Sequence, residues 1–170
     1  MGLSNEHKKF LLIQQGLFPI IINIGLNGII SWFVFKKYEK VTFWGESGII
    51  VDILTIGFLL PFITCVFGSL GIYKKTLSCK LSPLNQVSSR GGRLYQFHLT
   101  IVGLILGLIS LVLATTPFLI IIKYFDLVPM DTIDFVRLKA AWSGMLAGIF
   151  TPLIAYLAMK KISQRYVAFY

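Results

Sequence analysis

Four stretches of this chain, about 10–35, 49–73, 98–122 and 135–159, are almost wholly apolar and too long for most buried helices of a soluble domain. Crossing a hydrocarbon core about 30 Å thick takes about 20 apolar residues at a helical rise of about 1.5 Å. Inside lipid the backbone must satisfy its own hydrogen bonds, so each stretch is predicted to be a helix. The predicted fold class is all-α, an integral membrane four-helix bundle. The spans and their connections account for nearly all of the 170 residues, which leaves no room for a soluble catalytic domain. Composition agrees: 14% of the residues are charged and 56% are hydrophobic, whereas a soluble domain carries about 25% charged residues.

The formal charge of +9 invites a nucleic-acid reading, but its placement argues against one. Ten of the 16 Lys and Arg residues lie in the N-terminal segment, the second connection and the C-terminal segment, with Glu6 as their one acid. The other six share the first and third connections and the start of span four with Glu39, Glu46, Asp126, Asp131 and Asp134. Short loops rich in Lys and Arg stay cytoplasmic, so the expected orientation is N-in, C-in. The bilayer is then the first expected partner, and nucleic acid is not one. Lys74, Lys75, Arg90 and Arg93, in and beside the second connection, are candidate contacts for anionic lipid. That connection has turn signals at Ser82-Pro83 and Ser88-Ser89-Arg90-Gly91-Gly92-Arg93, but not the glycine-lysine pattern that cradles nucleotides.

Lys8 and Lys9 ahead of an apolar run mimic a secretion signal, yet the run is long, contains Gln14, Gln15 and Asn23, and is read as a retained span. Glu6 stands where myristoylation of Gly2 would want Ser or Thr. Cys65 and Cys79 form no C-x-x-C pair, and a structural disulfide between a span and a cytoplasmic loop is not expected. His7 and His98 both lie at the cytoplasmic edge, so no haem ligation, metal cluster or nucleophilic triad is expected, and no cofactor.

Polar and helix-breaking residues inside the spans are the candidates for function. Each span holds one proline, Pro19, Pro61, Pro117 and Pro152, which removes a donor, frees a carbonyl and is a candidate kink. Broken helices build transporter sites, but prolines also serve packing, with Thr115 and Thr116 placed to satisfy groups freed by Pro117. Gln15, Pro19, Asn23, Asn27 and Ser31 recur every fourth residue and share one face of span one, turned either to other helices or to a polar path. Asp52 is the one carboxylate inside a span, with Ser31, Asn27 and the snorkelling Lys36 as its expected partners. Asn23, Asn27, Ser31 and Asp52 form the candidate polar site; Asp52 can equally be a helix-start acid favoured by the dipole. Gly103/Gly107 and Gly144/Gly148 have the spacing of close helix contacts, within the bundle or between copies. Arg137 and Lys139 run against the charge rule, and Asp134 is the expected partner of Arg137. Gly57–Ile63 and Gly148–Ile154 align weakly, either by the chance similarity of apolar segments, the favoured reading, or as a repeat, which would make two tandem helical hairpins.

Asn27-Gly28-Ile29-Ile30-Ser31-Trp32, then Gly45 and Asp52, then Phe58-Leu59-Leu60-Pro61-Phe62-Ile63-Thr64-Cys65 resemble a family of small four-span bacterial membrane proteins, some loosely labelled permeases. The resemblance covers roughly the first 75 residues. It implies a bacterial inner (cytoplasmic) membrane location, and it places Asn27, Asp52, Pro61 and Cys65 in one pattern. Two expectations follow: a small permease-like transporter or channel acting as a homo-oligomer, or a non-catalytic accessory subunit of a larger membrane complex. An enzyme is not expected.

Overall fold

The computed structural model describes residues 4–77 and 99–169. They form four helices long and apolar enough to cross a membrane: α1 (Asn5–Phe35), α2 (Ile49–Lys75), α3 (Thr100–Tyr124) and α4 (Thr132–Ser163), the last continuing as helix to Phe169. Arg90 and Arg93, expected to touch anionic lipid, lie outside the described residues.

Helix ends depart from the apolar boundaries where local chemistry overrides hydropathy. α1 begins at Asn5 because Ser4 caps it, its Oγ accepting from the His7 N–H at 3.3 Å. α4 starts at Thr132 and runs on past Lys160 and Lys161, since lysine is a good helix former and only its charge marks the end of an apolar span. α3 is closed by Asp126, whose positive φ of 48° puts it in the left-handed region that ends helices.

Pro19 and Pro117 each follow a stretch of wide π turns, Phe10–Leu17 and Leu111–Thr115, while a third such stretch, Thr64–Gly68, begins three residues after Pro61. The residues just ahead of Pro19 and Pro117 donate five residues back, Phe18 N–H to Ile13 O and Thr116 N–H to Leu111 O. The extra residue in the turn makes room for a proline ring that would strike a carbonyl in a regular helix. The Thr115 and Thr116 hydroxyls add bonds to Ser110 O at 3.2 Å and Leu111 O at 2.9 Å, carbonyls short of those that Pro117 frees. Pro61 and Pro152 differ, both lying inside α-helix.

The packed neighbours are α1 with α4, α4 with α2, and α2 with α3. The helices therefore do not pair as tandem hairpins; α1 docks on α4 instead of its neighbour in sequence. Small residues explain that choice. A Cβ on Gly144 would come within 2.6 Å of Ile24, and one on Gly148 within 2.7 Å of Ile20, so α1 approaches α4 where α4 has no side chains. Gly107 and Gly103 do the same for Phe58 and Phe62 of α2, and Gly57 of α2 faces Thr115 of α3. Both glycine pairs thus pack inside one copy of the chain. α4 is the central helix, and α1 is the outlying one, with a broad exposed apolar face from Leu12 to Val34.

A clasp ties the two helix connections together at one end of the bundle. β1 (Lys40–Val41) pairs antiparallel with β2 (Met130–Asp131), Lys40 opposite Asp131 and Val41 opposite Met130. Thr132 Oγ1 donates to Tyr38 O at 2.5 Å. Beneath the clasp, Phe35, Val41, Ile49, Ile122 and Phe135 are buried, with Phe35 edge-on to Phe135 at 4.8 Å between centroids. Thr132→Val is expected to cost about 1 kcal/mol, the worth of one partly buried hydrogen bond, in a denaturant titration in detergent.

Candidate functional site

The strongest polar feature is an ion pair that links α2 to α4. Asp52, in the first turn of α2, and Lys139, in the second turn of α4, come from parallel-running helices that start at the clasped end. Lys139 Nζ donates to Asp52 Oδ1 at 2.6 Å and lies 2.6 Å from Oδ2. The lysine side chain is 3% exposed and the aspartate 25%, so the ammonium has no alternative in water. Ser31, Asn27 and Lys36 were the expected partners; Lys36 instead lies over the Phe33 ring, 4.9 Å from its centroid. Lys139 was the residue that sequence reasoning missed. Its signal was present: the one carboxylate inside a predicted span and a basic residue inside another, both roughly one to two turns from the same end.

Two buried polar atoms, Trp142 Nε1 and Ser110 Oγ, have no hydrogen-bond partner among the described residues, and Asp52 Oδ2 has the Lys139 ammonium alone. Trp142 is three residues beyond Lys139, on a neighbouring part of the same helix face, and its indole stacks on Phe118 of α3 at 3.9 Å between centroids. The region where α2, α3 and α4 meet below the clasp therefore carries unspent hydrogen-bonding capacity, which is costly in an apolar surround.

The polar stripe of α1 satisfies itself. Asn23 Nδ2 donates to Pro19 O at 2.9 Å, Asn27 Nδ2 to Asn23 O at 3.1 Å, and Ser31 Oγ to Asn27 O at 2.6 Å. Each bond returns to the carbonyl four residues back, forming a ladder along one face. That face turns toward α4, where Ser143 Oγ lies within reach of Asn23 O at 3.1 Å and of Ala140 O at 2.8 Å. Ser143 is one turn along α4 from Lys139, so α4 meets the stripe and the ion pair through consecutive turns. No contact described joins the stripe to Asp52 itself.

The remaining candidates sit apart. Arg137 pairs with Asp134 at 3.3 Å, as expected, with both side chains mostly exposed. Arg137→Ala is accordingly expected to change stability by about 0.5 kcal/mol or less in the same titration. Lys74 and Lys75 are exposed at the end of α2, Lys75 donating to Gln14 Oε1 at 3.2 Å and lying 5.2 Å from the Phe10 ring centroid. Among the described residues no three His, Cys, Asp or Glu side chains group as a metal site.

Chemically, the pair can do one thing that a packed apolar contact cannot. A proton or cation that reaches Asp52 competes with Lys139 for the same oxygens, and the contest alters the force holding α2 to α4. No protein-family model matches the chain, and no curated protein or solved structure is similar to it.

Proposed function

We propose that this is a multi-pass protein of a bacterial cytoplasmic membrane, N-in and C-in, acting as a small oligomeric permease-like carrier with the Asp52–Lys139 pair as its switching contact. The pair, its lysine buried and its aspartate partly so, carries the reading. An apolar pair of similar volume would hold two helices at least as well, because bringing both charges out of water costs as much as their attraction returns. Keeping them suits a contact that must be exchanged. Four helices of suitable length and apolarity support the membrane placement, and the distribution of Lys and Arg supports its direction.

Purified protein in liposomes with an entrapped pH dye and a sodium or potassium gradient tests the reading. Cation-dependent proton movement that falls at least tenfold in Asp52→Asn is the expected result. Wild-type liposomes no leakier than empty ones under every gradient would overturn it. For the orientation, a reporter active only outside the cytoplasm should work when fused after Glu46 and stay silent after Lys80.

A second reading has an observation of its own. The stripe is satisfied within α1 and the opposite face of α1 is apolar throughout, as suits an accessory subunit lying against a larger membrane complex. Gentle detergent purification from the native membrane separates the two: a homo-oligomer favours the carrier, a defined hetero-complex the subunit.

A further inference from the structure

Between α2, α3 and α4, toward the end of the bundle away from the clasp, lies a cleft of about 110 Å³. Its two walls share one spacing. Val102, Ile105, Leu106 and Ile109 come from α3, and Ile154, Leu157, Ala158 and Lys161 from α4, each set at i, i+3, i+4, i+7 and therefore on one helix face. Cys65 and Ser69 of α2 form the floor. Two such faces ordinarily interdigitate; here they stand apart, and space lined this way forfeits dispersion contacts unless something apolar fills it. Seven residues of helix make the cleft about 10 Å long, which fits an extended hydrocarbon segment better than a compact solute. The α3 wall reaches the surface, with Ile105 36% and Ile109 42% exposed, so a chain can enter sideways.

Charge identifies what the chain is attached to. Lys161 is the polar end of the cleft, and Lys160, Lys74 and Lys75 belong to the same end of the bundle. Apart from Glu6, every acidic residue of the chain lies toward the clasped end. We propose that the cleft binds one acyl chain of an anionic phospholipid, with the lipid phosphate held by Lys161. A cationic residue between helices at a cytoplasmic face is suited to such a headgroup. The inference rests on the bilayer placement proposed above and not on transport.

The test is lipid retention by the detergent-purified protein, read by native mass spectrometry against dioleoyl phosphatidylglycerol and dioleoyl phosphatidylcholine at equal concentration. One phosphatidylglycerol per chain, retained at least fivefold over phosphatidylcholine, is expected. Lys161→Gln should bring that ratio to about one. Ile105→Trp, a change at a partly exposed position that fills the mouth of the cleft, should lower retention of both lipids. Glycerophosphoglycerol, the headgroup without chains, should not bind.

Equal retention of the two lipids by the wild type overturns the proposal, as does a preference that survives Lys161→Gln. Binding of the chainless headgroup as tight as that of the lipid would mark a phosphate site and overturn the acyl-chain assignment. Retention is read without any flux, so a failed transport assay leaves this result standing, and a failed retention assay leaves the carrier reading standing.

Discussion

Lys139→Ala should be the most damaging single truncation in this protein, lowering unfolding free energy by about 3–5 kcal/mol, because it strands the Asp52 carboxylate between apolar helices. The lysine side chain is 3% exposed, and among the described residues Asp52 Oδ2 has no hydrogen bond to fall back on. Asp52→Leu together with Lys139→Met should recover most of that loss, since an apolar pair needs no partner. Denaturant titration of the single and double variants in one detergent measures both. A single-variant loss under about 1 kcal/mol would mean that water reaches the pair, which is how exposed pairs behave. The same double variant bears on the proposed function: a stable, folded protein without the flux expected of the wild type would separate the proposed switching role from the structural one.

Gly57→Ala is expected to be nearly as severe for so small a change. A Cβ there would stand 2.8 Å from Thr115 Cγ2 and 2.9 Å from Thr115 Cβ, and Thr115 is fully buried. Either α2 and α3 move apart or the threonine leaves its rotamer and its bond to Ser110 O. Overpacking of this kind costs about 1–3 kcal/mol, sometimes more. Adding Thr115→Ala removes Oγ1 and Cγ2 and should return part of the loss, a coupling that a double-mutant cycle reads directly. Gly25→Ala is the control. Nothing lies within 4 Å of a Cβ at Gly25, so that change should be neutral or gain up to about 1 kcal/mol from helix propensity.

The helices were legible because a long apolar run reports length directly, and α1 to α4 fall within a few residues of the expected spans. Which helix meets which was less legible. The glycine pairs marked close contacts, but Gly144 and Gly148 do not say whether their partner is the preceding helix, the following one or another copy. Ile20 and Ile24 fill them, and isoleucines are too common in such a sequence to stand out. The clasp between Lys40–Val41 and Met130–Asp131 left even less trace, being two residues a side and dependent on loops brought together by the bundle.

The candidate site divides in the same way. The stripe of Asn23, Asn27 and Ser31 could be read from periodicity, but its bonds run along its own helix, a local alternative that spacing alone does not distinguish from bonds to a neighbour. Asp52 stood out as a lone acid. Lys139 was obscured by Asp134 and Arg137 close by, and its pairing spans 87 residues of sequence.

The ladder along α1 also bears on how the chain assembles. α1 is made first, and its main partner, α4, is made last of the four. In the bilayer placement proposed above, α1 would wait for α4 among lipid tails with two asparagines and a serine in its middle. Asn23, Asn27 and Ser31 each already give a donor to a carbonyl of their own helix, which would lower the cost of that wait and the pull toward a wrong partner.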